Sequence, residues 1–75
     1  MSVQSIKELG RKIRLRRKTL KITQPDLAQL AGISVNTLYK IERGVANPTL
    51  KIIDKLLDVL GLELSLAIKS IDYTD

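Results

Sequence analysis

One short stretch of the sequence carries polar side chains at the spacing of a single helical face. Asn36, Lys40 and Arg43 follow one another at steps of four and three residues, which places them on one side of an α-helix. Leu38 and Ile41 fall on the other side. An amide can bond an adenine edge, a lysine can bond a guanine edge, and an arginine can hold phosphate. The chemistry that these side chains offer is therefore recognition of nucleic acid.

The helix that precedes this face is expected between Thr23 and Gly32. The Thr23 hydroxyl can cap free backbone N–H groups, and Asp26, three residues later, completes a capping-box-like pattern. Pro25 falls in the first turn, where a missing N–H costs no hydrogen bond. Gly32 can adopt the left-handed conformation that ends a helix. The narrow apolar face of this helix is predicted to consist of Leu27, Ala28 and Leu30.

The second helix opens after Ser34, a candidate N-cap, and is expected to run to about Arg43, with Gly44 as its stop. Two helices joined by a short turn that contains glycine form a helix-turn-helix unit, whose second helix enters the major groove of DNA. An ordinary helical hairpin with a solvated polar side is the alternative for any pair of short helices.

Length and composition limit what else the chain can do. Its 75 residues leave room for one small domain, which is marginally stable unless something staples it. The sequence has no Cys and no His, which removes disulfides, thiolate nucleophiles, imidazole bases and the usual zinc ligands. Oligomerisation is the remaining common way to stabilise such a small domain. We also expect a non-enzyme without cofactor, metal or small-molecule ligand. No apolar run is long enough to cross a membrane and no signal-peptide pattern is present, so a cytoplasmic location is expected.

Positive charge is concentrated in front of the helix pair. The formal net charge is +5, and the segment from Lys7 to Lys21 alone contains eight basic residues and one acidic residue. From Asp54 onward, two lysines face five acidic residues. A surface that binds phosphates has this distribution, although a solvated helix face or a helix lying on a membrane would have it too. The helix pair that follows directly favours DNA.

The basic segment is itself expected to be helical, beginning near Ser5 or Ile6. Its apolar stripe is predicted to consist of Ile6, Leu9, Ile13 and Leu20, with Arg17 at the edge. Leu15 falls off this stripe.

A loop and a fourth helix follow the helix pair. Asn47-Pro48 disfavours the continuation of a helix and begins a turn. Thr49 is the predicted cap of a helix from Leu50 to Leu60, which Gly61 ends. The residues expected to face the core from this helix are Ile53, Leu56, Leu57 and Leu60.

The last part of the chain changes from a helical to an alternating period. Its apolar members, each separated by one polar or small residue, are Leu62, Leu64, Leu66 and Ile68. This alternation predicts a strand with one apolar face, which has no partner strand in its own chain and would pair with a second copy in a two-fold ribbon. We therefore expect a domain over residues 1–61, followed over residues 62–75 by a dimerisation strand, with these four apolar residues as its contacts, and a loose tail. A short fifth helix is the alternative.

The helix pair also resembles the Cro/C1-type (XRE) helix-turn-helix family. The matching motifs are Thr23-Gln24, Leu27-Ala28, Gly32-Ile33-Ser34 and Leu38 to Gly44, and the resemblance covers roughly residues 9 to 61. It implies a mainly α, compact four-helix, lambda-repressor-like domain. Together with the tail, the expected fold is this domain with a C-terminal β-strand that pairs across a dimer.

The resemblance implies roles for individual residues. Val35, Asn36 and Lys40 match the family's base-reading positions, where Val35 would pack on a thymine methyl group. Gln24 matches a position that contacts the DNA backbone at the positive end of a helix. The full set of residues expected at the DNA backbone is Gln24, Ser34, Thr37, Tyr39, Arg43 and Arg17.

Two positions depart from the family pattern, and the family implies one ion pair. Arg16 stands where relatives often have an apolar residue. Lys21 stands where they often have a left-handed glycine, so either a lysine costs about 1 kcal/mol there or the turn differs locally. In relatives an arginine late in the first helix pairs with a glutamate near the end of the recognition helix, and these residues are Arg17 and Glu42 here. Two unrelated surface charges are the alternative for this pair.

The lead-in IRLRRKTLKITQ and the segment LELSL look like those of HipB-type antitoxins, which accompany HipA-type kinase toxins. That resemblance implies a homodimer that reads an inverted-repeat operator in double-stranded DNA, represses its own operon and binds a HipA-type toxin. A stand-alone phage-like or housekeeping repressor is the first alternative. A protein-interaction module that does not bind DNA is the second.

Overall fold

Four helices make up the part of the chain that the structure, a computed structural model, describes, which is residues 3–65. They are α1 (Val3–Thr19), α2 (Gln24–Ala31), α3 (Val35–Glu42) and α4 (Leu50–Leu60). Helices α1 and α2 each pack against both α3 and α4. This arrangement confirms the mainly helical four-helix domain. Within residues 3–65, no helix is long and apolar enough to cross a membrane.

Helices α2, α3 and α4 begin directly after the cap residues that the sequence indicated. The hydroxyl oxygens of Thr23, Ser34 and Thr49 accept hydrogen bonds from the backbone N–H three residues later, at 3.2, 3.0 and 3.3 Å. Each bond satisfies a donor that has no partner inside the helix. Gly32 and Gly61 follow α2 and α4 in the left-handed conformation.

Helix α1 begins at Val3, slightly before its predicted start, and its C-terminus is closed by a left-handed lysine. Lys21 has a φ of 58°. Its N–H donates to the Lys18 carbonyl at 3.0 Å, and the next N–H, of Ile22, donates to the Arg17 carbonyl at 3.1 Å. These paired bonds are those of a Schellman cap, in which a glycine is the usual left-handed residue.

The core lies where the four helices meet. Its largest fully buried side chains are Ile13, Leu27, Leu38, Ile41, Ile53, Leu56 and Leu60. All of them belong to the apolar stripes predicted from the sequence. Of the other stripe members, Ile6 and Leu9 are half-buried, and two are exposed.

The predictions for Leu30 and Leu20 are wrong. Leu30 is 65% exposed, because the buried face of α2 is formed by Leu27, Ala28 and Ala31 and position 30 lies about 100° around the helix from that face. Leu20 is 39% exposed and follows Thr19, the last residue of α1, although its N–H still donates to the Arg16 carbonyl at 3.0 Å.

Two glycines allow α1 to cross closely over the end of α3. Gly10 is buried in the middle of α1, and a Cβ atom there would collide with the carbonyl oxygen of Ile41. Gly44 has a φ of +72°, and a Cβ atom there would lie 2.7 Å from Cγ of Lys7. The crossing therefore depends on the absence of side chains at both positions.

Arg16, the position where the family often has an apolar residue, ties α1 to the end of α4. The side chain is half-buried, and its Nε donates to the Leu60 carbonyl at 2.9 Å. The last carbonyl groups of a helix have no intrahelical donor, and a cation there also suits the helix dipole.

The four residues after Gly61 form neither a helix nor a strand in the described part of the chain. Leu62 still donates its N–H to the Leu57 carbonyl at 2.8 Å, and residues 62–65 are all exposed. Within residues 3–65 no partner strand is present, so the strand stays a prediction that needs a second copy. Of its predicted contacts, Leu66 and Ile68 lie outside the described residues.

Candidate nucleic-acid interface

The outer face of α3 presents the three residues that match base-reading positions. Val35 is 42% exposed, and Asn36 and Lys40 are also exposed. Asn36 and Lys40 lie one helical turn apart, and their side chains make no hydrogen bond or ion pair with another described residue. Their donors and acceptors are therefore free for a ligand along one edge of the helix.

Helix α3 is held in place from its inner face. Leu38 and Ile41 are buried in the core, so the outer face cannot rotate inward without exposing them. Glu42, at the end of the helix, is 6% exposed and lies against Arg17 of α1, which is 9% exposed. The position of the outer face of α3 thus depends on both packing and a buried ion pair.

Arg17 and Glu42 form a two-point contact. Nε of Arg17 donates to Oε2 of Glu42 at 2.7 Å, and its second terminal nitrogen donates to Oε1 at 3.0 Å. The remaining terminal nitrogen donates to the Ile22 carbonyl at 2.9 Å. The hydrogen bond to Glu42 raises the pKa of Arg17, and the negative charge of the Glu42 carboxylate raises this pKa further. Burial of the guanidinium acts in the opposite direction and lowers the pKa. Most of the guanidinium is committed to structure, so Arg17 has little left to offer a DNA phosphate.

Gln24 joins this pair to α2. Its Nε2 donates to Oε1 of Glu42 at 3.1 Å, and the side chain is half-buried. The carboxylate of Glu42 thus links the first residue of α2 to α1 and α3. One N–H of the Gln24 amide remains available, as does the positive end of α2.

Ser34 and Thr37 are bonded to each other at the start of α3. The Ser34 hydroxyl accepts from the backbone N–H of Thr37 at 3.0 Å and donates to its hydroxyl oxygen at 2.8 Å. The Thr37 hydroxyl hydrogen is the donor that this arrangement leaves free. Of the two, Thr37 is therefore better placed to contact a DNA phosphate.

Tyr39 and Arg43 form an exposed pair near the C-terminus of α3. Nη1 of Arg43 donates to the Tyr39 hydroxyl oxygen at 3.2 Å, and the guanidinium carbon lies 5.5 Å from the centre of the ring. Stacking of a cation on an aromatic face restricts both side chains. They offer the remaining guanidinium N–H groups and the phenolic O–H at a fixed place beside α3.

Two of the residues predicted for dimerisation, Leu62 and Leu64, lie elsewhere. Leu62 and Leu64 line a groove between α1 and α4, together with Leu9, Ile13 and Leu57. We call it the α1–α4 groove. A helix turns by about 100° per residue, so the α1 residues that line the groove lie on roughly the opposite side of α1 from Arg14 and Lys18. The structure therefore separates Leu62 and Leu64 from the α3 face.

Three features of this region escaped the sequence analysis. Gly10 could have been noticed, because a glycine inside a helical pattern often marks a close approach. Arg14 and Lys18 were counted as part of the basic run, but their four-residue spacing also places them on one face beside Tyr39 and Arg43. The bond from Arg16 to Leu60 had no signal, because the two residues are 44 positions apart.

A short helix with an exposed polar face, docked through a glycine turn on a preceding helix, defines a helix-turn-helix protein. The family model for the helix-turn-helix matches residues 13–66, and the chain belongs to that family. It is 45% identical over 53 residues to the uncharacterized HTH-type transcriptional regulator YazB of Bacillus subtilis, covering 71% of this chain and 77% of YazB. It is 37% identical over 57 residues to the immunity repressor protein of Bacillus phage phi105, covering 76% of this chain and 40% of the repressor.

Further similarities extend to archaea and to a solved structure. HTH-type transcriptional regulatory proteins of Methanococcus maripaludis are 33% identical over 66 residues, and the chain spans about 20% of their length. The crystal structure of the restriction-modification controller protein C.AhdI from Aeromonas hydrophila is similar with a TM-score of 0.76 at 30% identity, covering 80% of this chain and 91% of that one.

Proposed function

We propose that the protein is a transcriptional repressor that binds a specific DNA sequence as a homodimer. The observation that carries this proposal is the outer face of α3, where Val35, Asn36 and Lys40 are exposed and free of described partners. Their helix is fixed from behind by the core and by the buried bond to Glu42. Polar groups held rigidly on an exposed helix are what direct reading of a major groove requires.

Base reading and backbone binding fall to different residues. Asn36 bonds an adenine edge, Lys40 a guanine edge, and Val35 packs on a thymine methyl group. Gln24, Thr37, Tyr39 and Arg43 hold phosphates on either side and set the register of α3 in the groove. Ser34 and Arg17 support these contacts indirectly, because their own donors are largely used within the protein.

Dimerisation is supported by the α1–α4 groove and the residues beside it. Leu62 and Leu64, on alternate positions, are 36% and 51% exposed. In the proposed dimer these two residues and the predicted contacts at Leu66 and Ile68 pair with a second copy. Two α3 helices then enter successive major grooves about 34 Å apart and read an inverted repeat.

The regulatory role is supported by the relatives. YazB and the Methanococcus proteins are described as transcriptional regulators, and the phi105 protein is described as an immunity repressor. The finer part of the proposal is that this repressor acts as the antitoxin of a HipA-type kinase on its own operon. It rests on the lead-in and tail residues alone, and a stand-alone repressor is the alternative. Co-purification with a HipA-type kinase encoded beside it would separate the two roles.

The experiment that tests DNA reading is selection of bound duplexes from a random pool at moderate salt. The expected result is enrichment of an inverted repeat with half-sites about one helical turn apart. The matched variants are Lys40→Ala, on the α3 face, and Lys55→Ala, an exposed lysine on α4. Only Lys40→Ala is expected to lose or change the enriched motif. Salt-sensitive binding without any enriched motif would contradict the proposal and favour a protein-interaction module.

A further inference from the structure

A cleft beside α3 holds positive charge that no assigned base-reading residue supplies. From α1 it is lined by Arg14 and Lys18, and from the end of α3 by Tyr39 and Arg43. The bonded group of Arg17, Glu42 and Gln24 completes its lining. We call this surface the basic cleft.

The basic cleft lacks a matching negative charge. Its only acidic lining residue is Glu42, whose carboxylate is already engaged by Arg17 and Gln24. Arg14 and Lys18 make no ion pair within residues 3–65. They lie four residues apart on one helix, a spacing at which like charges repel. An anion in the cleft would relieve that repulsion.

The donors that face the cleft suit a tetrahedral, multiply bonded oxyanion. Arg43 spends one N–H on the Tyr39 hydroxyl at 3.2 Å, which leaves its other N–H groups and the phenolic O–H available. Arg14 and Lys18 are exposed and add a planar fork and a mobile ammonium from the opposite side. Charged donors of this kind form the strongest hydrogen bonds with phosphate oxygens.

We propose that the basic cleft binds a phosphodiester group of the DNA backbone, with Arg14 and Lys18 of α1 as contacts additional to the helix-turn-helix. This inference rests on the proposed function. DNA is favoured over an acidic protein segment because Tyr39 lies in the same short helix as the base-reading Lys40 and Arg43 caps that helix. An anion in the cleft therefore lies beside the strand that α3 reads. Contacts to phosphate set affinity and register but not sequence preference.

The first arm of the test compares matched charge removals. Lys18→Gln and Arg14→Gln are measured against Lys55→Gln, which removes one positive charge from an exposed helical position outside the cleft. We expect each cleft variant to weaken binding to the selected duplex on the order of tenfold, with the same loss on random DNA. The plot of log K against log salt concentration should become shallower by about 0.9 for each contact removed. The control should leave both quantities nearly unchanged.

The second arm locates the phosphate. Single phosphates of the selected duplex are replaced by neutral methylphosphonates, and each duplex is tested with the original protein and with the Arg14→Gln/Lys18→Gln variant. One position per half-site should weaken binding of the original protein but cost the variant much less, since the partner charges are already gone. Losses that add independently at every position would overturn the cleft proposal, as would cleft variants that behave like Lys55→Gln. Failure of the original protein to prefer any duplex would instead overturn the proposed function.

Discussion

The guanidinium of Arg17 and the carboxylate of Glu42 meet through two hydrogen bonds, of 2.7 and 3.0 Å, although the residues are 25 positions apart in the chain. The contact joins the C-terminal part of α1 to the last residue of α3. Since Gln24 bonds the same carboxylate, this contact holds both helices of the helix-turn-helix in place relative to α1. A single buried carboxylate therefore connects the stability of the protein to the placement of the outer face of α3.

Removing one partner of this pair should cost far more than removing both. Glu42→Ala leaves the Arg17 charge buried and unpaired, and we expect a loss of about 3–5 kcal/mol in the free energy of unfolding. The double variant Arg17→Met/Glu42→Leu should recover most of that loss, because no buried charge remains. Urea unfolding followed by circular dichroism measures both. A Glu42→Ala loss below about 1 kcal/mol would mean that the pair behaves as an exposed one.

Gly10→Ala is expected to destabilise the protein even though alanine favours helices. In an open helix the change would stabilise by roughly 1 kcal/mol. At position 10 the new Cβ would meet the Ile41 carbonyl oxygen, and separating α1 from α3 should cost about 1–3 kcal/mol net. Lys12→Ala, at an exposed position of the same helix, is the control and should be close to neutral. A higher melting temperature for Gly10→Ala would rule out the close crossing.

Lys21→Gly should be neutral or mildly stabilising. Lys21 has a φ of 58°, and a glycine there would relieve a strain of about 1 kcal/mol at the expense of a more flexible unfolded chain. Lys21→Ala keeps the Cβ atom and hence the strain, so it separates backbone relief from loss of charge. Thermal unfolding of both variants provides the measurement, and a lower melting temperature for Lys21→Gly would contradict the prediction.

Asn36→Ala and Arg43→Ala should have different effects on DNA binding. Asn36→Ala is expected to cost about 1–3 kcal/mol on the selected duplex and to relax one base position, because an amide reads a base edge. Arg43→Ala should weaken all sequences alike and flatten the salt dependence. Titration of selected and random duplexes with each variant gives the comparison. Equal losses on both duplexes for Asn36→Ala would exclude its role in base reading.

Local signals made the helix boundaries predictable from the sequence. Caps depend on a hydroxyl and an N–H three residues apart, so Thr23, Ser34 and Thr49 could be identified without knowledge of the tertiary structure. The apolar stripes were predictable for the same reason, except where the helix is short or has ended. Leu30 failed because two turns of helix leave the direction of the buried face poorly defined, and Leu20 failed because it follows the last helical residue.

Long-range contacts were not predictable in the same way. The Arg17 to Glu42 contact was expected only because related proteins have such a pair, since nothing local connects the two residues. The bond from Arg16 to Leu60 and the crossing at Gly10 depend on how two distant helices meet. The basic cleft likewise forms only where α1 packs beside α3. The sequence alone does not show that Arg14 and Lys18 lie beside Tyr39 and Arg43. The base-reading roles of Val35, Asn36 and Lys40 stay predictions that await a complex with DNA.

The turn at Gly61 leaves little freedom where the chain departs from α4. Two hydrogen bonds close it, from Gly61 to Asp58 at 3.2 Å and from Leu62 to Leu57 at 2.8 Å, and Arg16 holds the adjoining carbonyl of Leu60. In a dimer joined through the residues that follow, this rigid junction would fix the orientation of each domain relative to the other. The number of base pairs between half-sites would then be fixed by the protein, and one residue inserted after Gly61 would shift the preferred spacing instead of merely loosening it.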